Sequence, residues 1–371
     1  MAESRPLRVL VAGGGTGGHL YPGIAIAEEV KTATGGEAIF VGTARGLETR
    51  LVPAAGFPLE LVKVSGLKRM GMRGLLRGLL RLPGAFMESA RILRRHRPDV
   101  VLGVGGYASG PLVFAAALLG YPTAIQEQNS LPGFTNRVLG KLARRVFVAF
   151  DDAAARFARR KVRFTGNPVR RTFLERAAAA AAAGTPADDG GRAIVILGGS
   201  QGSRAVNELA SGMVRVLDAR GRLPPIIHQT GADQYDEMQV NYAALGYAGR
   251  VDVRAFIDDM PAVLARAAVC VARAGALTLA ELAIMRRPAI LIPLPTAADD
   301  HQTMNALAFE RAGAALVLPQ AQASATRLAD LVDEVLQDPA RRAAMAAAMG
   351  GLACASATRD IVAELTAIAR R

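Results

Sequence analysis

The chain is poor in what disulfides, metal centres and membrane spans require. Its 371 residues hold two cysteines and four histidines. Cys270 and Cys354 stand far apart inside apolar sequence, which excludes a disulfide framework and fits a reducing compartment. No Cys/His cluster has ligand spacing, and no Asp-x-Asp occurs to chelate a metal with a nucleotide diphosphate. The expectation is therefore that no metal and no resident cofactor is used. No apolar run reaches the ~20 residues that span a bilayer, and the longest, near 111–125, contains Gly120 and Pro122. The N-terminus runs directly into a strand without a basic-then-apolar leader, so no signal peptide is expected.

What is present is an ordinary α/β composition, 51% hydrophobic, with core enough for about two domains. The formal charge of +13 is unevenly placed. Residues 63–99 hold ten Lys/Arg against Glu88 and Asp99, which points to a polyanion, either nucleic acid or an anionic membrane surface. A nucleic-acid binder would interleave aromatic residues with the arginines for stacking, and between Lys63 and Arg97 only Phe86 is aromatic. On a helix, Arg73, Arg77 and Arg81 form one stripe, while Leu75, Leu76, Leu79 and Leu80 spread over the adjoining face. The plain alternative is a core helix with a solvated flank. Gly71, Gly74 and Gly78 suit instead a segment that adapts to an interface.

The chain is organised around Val9-Leu-Val-Ala-Gly-Gly-Gly-Thr-Gly-Gly-His19, an apolar strand entering a glycine cluster and then a helix expected to begin near Tyr21-Pro22. Glycine lets a ligand approach bare backbone N–H groups, and the helix adds its positive dipole end, so this is a pocket for an anion or a sugar. Gly13, Gly15 and Gly18 satisfy the dinucleotide fingerprint, but the second strand ends in Gly42-Thr43 and not in the acid that would hold a ribose. A phosphate-cradling Walker loop would place Lys where His19 stands. A second strand–glycine–helix pattern follows at Val100-Val-Leu-Gly-Val-Gly-Gly106. The strand Thr123-Ala-Ile-Gln-Glu127 then ends in polar residues, where ligand contacts collect in open α/β sheets.

The pattern restarts after the alanine run at 177–183, read as a helix or an interdomain connection. Ala193-Ile-Val-Ile-Leu-Gly-Gly-Ser-Gln-Gly202 opens a second Rossmann-like half, and the two halves are expected to face each other across a cleft. Within it, Ala276, Leu277 and Thr278 begin a helix after a strand end and make a diphosphate seat. Glu281, one turn on, accepts ribose hydroxyls or is merely a solvated helix residue. Asp299, Asp300, His301, Gln302 and Asn305 could bond several sugar hydroxyls, or form a capped loop.

Taken together these motifs resemble the MurG family of UDP-N-acetylglucosamine:undecaprenyl-diphospho-muramoyl-pentapeptide N-acetylglucosaminyltransferases. Gly13-Gly-Gly-Thr-Gly-Gly-His19, Gly103-Val-Gly-Gly-Tyr-Ala-Ser-Gly-Pro111, Glu127-Gln-Asn129, Gly166-Asn-Pro-Val-Arg170, Gly198-Gly-Ser-Gln-Gly202, His228-Gln-Thr-Gly231, Phe256-Ile-Asp-Asp-Met260, Gly275-Ala-Leu-Thr278 and Asp300-His-Gln302 occur in the family's order. The sequence departs from the family at Ala274, where serine is common, and at Gln126, where a histidine often precedes Glu-Gln-Asn.

The resemblance implies an α/β chain of GT-B fold, with two Rossmann-like domains whose parallel sheets face across a cleft. Residues 1–170 would bind the lipid acceptor and the membrane surface, 171–354 the donor UDP-GlcNAc, and 355–371 would form a helix crossing back to the first domain. On the donor side it implies Ile257 for uracil, Ala276, Leu277 and Thr278 with Leu279 and Ala280 for the diphosphate, Glu281 for the ribose and Gln302 for GlcNAc. Ser200 and Arg170 would reach the nucleotide diphosphate. Thr16, Gly17, Gly18 and Asn129 would line the sugar and acceptor side, and Gly105, Gly106 and Tyr107 the acceptor loop. The reaction implied is inverting transfer to undecaprenyl-diphospho-MurNAc-pentapeptide, with His19 as base or its orienter and Glu127 in reserve. The basic segment would then meet anionic phospholipid and not nucleic acid, holding the enzyme peripherally at the cytoplasmic face of the plasma membrane. Other UDP-sugar enzymes, such as an epimerase or a lipid glucosyltransferase, are the nearest alternatives.

Overall fold

The computed structural model describes residues 6–44, 46–62, 72–106, 108–183, 192–297 and 300–369, with the backbone alone for 72–82. The chain divides into two compact units, Met1–Arg170 with Cys354–Arg371, and Arg171–Ala353.

The first unit runs β1 (Arg8–Gly13), α1 (Gly17–Thr34), β2 (Glu37–Gly42), α2 (Glu48–Ala54), β3 (Leu59–Leu61), α3 (Met72–His96), β4 (Val100–Gly105), α4 (Ser109–Leu118), β5 (Thr123–Glu127), α5 (Phe134–Leu142), β6 (Arg145–Val148), α6 (Asp151–Ala154) and β7 (Val162–Phe164). Its strands are short, nearly continuous apolar runs, the pattern of a parallel sheet covered on both faces. Val9 and Val11 of β1 pack with Leu20 and Ile26 of α1. Leu10 and Ala12, pointing the opposite way, pack with Leu112 of α4 and Ile125 of β5. All pairings are parallel, in the order β3-β2-β1-β4-β5-β6-β7. The order reverses between β1 and β4, which opens a crevice at their carboxyl ends. Both ends are glycine loops.

The second unit runs α7 (Arg171–Ala182), β8 (Ala193–Leu197), α8 (Arg204–Ala219), β9 (Ile226–Gln229), α9 (Tyr235–Ala244), β10 (Val251–Arg254), α10 (Met260–Ala265), β11 (Ala267–Ala272), α11 (Ala276–Ile284), β12 (Ala289–Leu291), α12 (His301–Arg311), β13 (Ala315–Val317), α13 (Ala325–Leu336) and α14 (Pro339–Gly351). Its six strands are parallel in the order β10-β9-β8-β11-β12-β13. The reversal lies between β8 and β11, again where glycine-containing loops leave the sheet. Ile194 and Ile196 of β8 pack against Val206, Met213 and Leu217 of α8 and Leu328 and Val332 of α13.

The last helix, α15 (Ala357–Ala369), belongs to the first unit. Ile361, Val362, Leu365 and Ile368 join the core that contains Val9 and Val11. Glu364 fixes the helix to the sheet, accepting bonds from Arg145 Nε at 2.7 Å and Arg163 Nε at 2.9 Å.

One local expectation is corrected, and one left open is decided. Pro22 is not the start of α1, which begins at Gly17 and carries Pro22 inside it. Thr16 stands extended before the helix, and its carbonyl accepts from the N–H groups of His19 and Leu20. His19 is therefore in the first helical turn, and not in a loop ahead of it. The alanine run is resolved as the body of α7, up to Ala182.

Candidate active site

In the first unit the two glycine loops are locked to each other. Gly105 and Gly106 take φ of +99° and +81°, which any other residue adopts only with strain. A side chain on Gly106 would strike the Gly14 carbonyl, and a Cβ on Gly105 would lie 2.6 Å from His19 Nδ1. Ser109, at the start of α4, accepts from the Gly105 N–H at 3.0 Å and donates to the Ala12 carbonyl at 2.7 Å. The ends of β1 and β4 thus form one surface, with His19 on it.

The orientation of His19 follows from a chain of buried amides. Gln128 donates through Nε2 to the Val104 carbonyl at 2.8 Å and to Gln126 Oε1. Gln126 donates to Asn167 Oδ1 at 2.9 Å, and Asn167 returns a bond to the Gln128 carbonyl at 2.9 Å. With the nitrogen end of Gln128 so engaged, its oxygen faces His19 Nδ1, 3.3 Å away. An amide oxygen only accepts, so the contact suits a proton on Nδ1. Gln126, at the position where the family often has histidine, is one link of this chain.

Glu127 faces the other way, into the fold. It is buried and accepts from the Asn129 N–H at 3.0 Å, the Gly133 N–H at 3.2 Å and Asn136 Nδ2 at 2.8 Å. Burial pushes its pKa up, against the pull of these bonds. The carboxyl group holds the turn that presents Asn129 and the start of α5. Arg170, the last residue of the unit's first segment, stacks on the Tyr21 ring of α1 at 5.0 Å. Tyr107 lies outside the described residues, as do the side chains of Arg73, Leu75, Leu76, Arg77, Leu79, Leu80 and Arg81, whose backbone lies in α3.

In the second unit, Gly275 enters α11 with no side-chain cap. Ala276, Leu277 and Thr278 thus form the first turn of a helix whose N-terminal end carries the positive pole of its dipole. Leu279 and Glu281 are buried behind it and Ala280 is half-buried. Ser200 is exposed on the loop after β8. Gln302 of α12 accepts from the Leu294 N–H at 3.1 Å, which ties α12 to the segment after β12. Ile257 is buried just past β10, three strand spacings or roughly 14 Å from β11. Ser200, the α11 turn and Gln302 gather at the carboxyl ends of β8, β11 and β12, and Ile257 lies at the far side of the same edge.

Two organising residues escaped the sequence reading. Arg273 is 7% exposed. It donates to Ser203 Oγ at 2.8 Å, to the carbonyls of Ile292 and Pro293 at 3.0 and 3.1 Å, and to Gln320 Oε1 at 2.7 Å. Burial draws its pKa down. Gln128 is the other. The signal for Arg273 was a lone cation between an apolar strand and a glycine. His228, by contrast, is a core group: its ring bonds Tyr242 Oη at 2.9 Å and Asn207 Oδ1 at 3.0 Å, and burial takes its pKa to about 3, so it stays neutral.

Two Rossmann-like units, each with glycine loops at the switch point of its parallel sheet, have the architecture of the GT-B class of glycosyltransferases. Residues 9–148 match the glycosyltransferase family 28 N-terminal domain, and residues 193–365 match the glycosyltransferase family 28 C-terminal domain. The chain is 48% identical over 359 residues to a UDP-N-acetylglucosamine--N-acetylmuramyl-(pentapeptide) pyrophosphoryl-undecaprenol N-acetylglucosamine transferase of Myxococcus xanthus, covering 96% of this chain and 91% of the relative. Its structure is similar to the crystal structure of MurG from Acinetobacter baumannii, with a TM-score of 0.76, 30% identity, and coverage of 97% of this chain and 99% of that one. A UDP-GlcNAc 2-epimerase from Neisseria meningitidis bound to UDP-GlcNAc shares the fold at a TM-score of 0.67 and 13% identity, covering 97% of this chain and 99% of that one. The chain belongs to glycosyltransferase family 28, and within it to the MurG family.

Proposed function

We propose that the chain transfers N-acetylglucosamine from UDP-N-acetylglucosamine to the 4-hydroxyl of N-acetylmuramyl-(pentapeptide) pyrophosphoryl-undecaprenol, with inversion at the anomeric carbon. The observation that carries this reading is the 48% identity, over 96% of the chain, to a transferase named for that sugar and that acceptor. The second unit takes the donor: the Ile257 backbone meets uracil, Glu281 the ribose, Ser200 and the Ala276–Thr278 turn the diphosphate, and Gln302 the sugar. The first unit takes the acceptor along Thr16, Gly17, Gly18 and Asn129 and along the loop of Gly105, Gly106 and Tyr107.

The acceptor oxygen attacks the anomeric carbon from the face opposite UDP, and the bond from that carbon to the β-phosphate oxygen breaks. UDP leaves with the electron pair, and the hydroxyl proton passes to His19 Nε2, the ring nitrogen that does not face Gln128. Charge on the departing diphosphate is met by the dipole and N–H groups of α11, with no bound metal required. Attack on an α-linked donor gives a β-linked product. Proton NMR of the isolated product is expected to show the large anomeric coupling of a β-glycoside, and an α-linked product would overturn the single-displacement mechanism.

The chain works as a peripheral protein at the cytoplasmic face of the membrane. Among the described residues no helix is long and apolar enough to cross a bilayer. Met87 of α3, Leu118 of α4 and Phe134 of α5 are 62%, 60% and 64% exposed, and these helices pack in that order. Each arginine near an anionic surface contributes about 1 kcal/mol. Purified protein is expected to float with phosphatidylglycerol vesicles and to be lost from them when Arg73, Arg77 and Arg81 are all changed to Glu. Flotation unchanged by the triple reversal would remove this segment from membrane binding.

A further inference from the structure

A buried carboxylate of the first unit lies beneath the glycine loop that leads to His19. Glu48, the first residue of α2, has no exposed surface. Its Oε2 accepts from the Gly15 N–H at 2.8 Å, and its Oε1 accepts from the Thr43 N–H at 2.8 Å and Thr43 Oγ1 at 2.7 Å. Glycines wall it in. A Cβ on Gly14 would lie 2.5 Å from Glu48 Oε1, one on Gly42 would lie 2.7 Å from Glu48 Cγ, and one on Gly46 would overlap the carboxylate. In a dinucleotide-binding loop these backbone N–H groups reach a ligand phosphate. Here an internal anion already occupies the Gly15 N–H.

We propose that Glu48 is a positioning residue for the transfer reaction, its carboxylate fixing the 13–16 loop in the place a ligand phosphate fills elsewhere, and so setting the first turn of α1 and His19. Burial raises the pKa of Glu48, but the bonds from Gly15 and Thr43 outweigh it and leave the group below the ordinary glutamate value, hence ionised. Two consequences follow from the charge and the geometry. The loop is organised before any substrate arrives, which spares the acceptor the cost of ordering it. A second anion at Gly15 would meet a buried like charge, so the acceptor pyrophosphate is directed away from this loop and toward that of Gly105 and Gly106.

The geometry also separates the two ends of the side chain. In Glu48→Gln the amide oxygen keeps both Thr43 donors, and the amide nitrogen then opposes the Gly15 N–H, donor against donor. The substitution loosens the glycine loop while leaving α2 anchored. Gly14→Ala attacks the same contact from the other side, since Gly14 is not at positive φ and its new methyl group would press on the carboxylate. Thr43→Ser keeps all donors and serves as the control.

The proposal rests on the reading of His19 as the proton acceptor, so His19→Ala is measured beside these variants. With UDP-GlcNAc and a short-chain lipid-linked acceptor, Glu48→Gln and Gly14→Ala are each expected to lower kcat at least ~10-fold, since displacements near 1 Å cost up to about 100-fold. KM for UDP-GlcNAc stays within about twofold, because the second unit holds the donor, and Thr43→Ser behaves as the parent. A folded Glu48→Gln with kcat within about twofold of the parent overturns the proposal, as does a parallel loss of kcat and donor KM. If Glu48→Gln does not fold, Gly14→Ala decides on the same criteria. Loss in Glu48→Gln with turnover kept in His19→Ala removes the base assignment and leaves the positioning of the loop standing. Loss in His19→Ala with turnover kept in Glu48→Gln removes Glu48 alone.

Discussion

His19→Ala is expected to lower kcat by about 100- to 10,000-fold, the range spanned by loss of a positioned proton acceptor, with KM for UDP-GlcNAc nearly unchanged. The ring stands in the first turn of α1, and Gln128 Oε1 holds its Nδ1. In the proposed reaction the proton of the acceptor hydroxyl is taken through Nε2. Alanine removes the acceptor while leaving the helix, the glycine loop and the whole second unit in place. Gln128→Ala separates orientation from chemistry, because the imidazole remains and only its tether is lost. The expected fall is roughly tenfold, about 1.4 kcal/mol of transition-state stabilisation. Steady-state kinetics at saturating acceptor check both values, and near-parental turnover in His19→Ala would take the residue out of the reaction.

Arg273→Lys is expected to act on the other substrate and on stability. One guanidinium joins three segments that carry the proposed donor contacts. Ser203 Oγ closes the loop that bears Ser200, the Ile292 and Pro293 carbonyls precede the Leu294 N–H that holds Gln302, and Arg273 itself leads into Gly275 and α11. A lysine ammonium has no planar fork and cannot span these acceptors together. Losing two bonds from a charged donor costs roughly 3 kcal/mol, which in a domain of this size lowers Tm by roughly 10 °C. KM for UDP-GlcNAc should rise by about tenfold or more, with kcat at saturating donor changed far less. Differential scanning fluorimetry and donor titration check the two effects, and a parental donor KM would show that the three segments are held by other means.

Legibility in the sequence followed the range of the interaction. Strand, glycine loop and helix are neighbours in the chain, so the loops after β1, β4, β8 and β11 and the turn at Ala276, Leu277 and Thr278 could be read directly. The parallel αβ alternation followed from the same local pattern. The start of α1 was misplaced because proline at Pro22 is a strong local signal for a helix start, outweighed by the extended Thr16 and the bonds to its carbonyl. Partners distant in sequence left no trace. His19 and Gln128 are 109 residues apart, Arg273 and Ser203 are 70 apart, and Glu48 meets Gly15 across 33. Glu127 shows the converse. It ends the strand β5, and the fold turns its carboxylate inward onto the Asn129, Gly133 and Asn136 donors, a burial that the strand pattern alone does not show.

The decisive experiment is transfer of radiolabelled N-acetylglucosamine from UDP-GlcNAc to a short-chain lipid-linked MurNAc-pentapeptide, with EDTA present. Label is expected in the lipid fraction at a rate that added magnesium does not raise. Label that stays on the nucleotide in EDTA and in magnesium alike, while UDP still binds, would contradict the acceptor assignment. Transfer that appears only with magnesium would contradict the assignment of the leaving diphosphate to α11 and the protein's own groups.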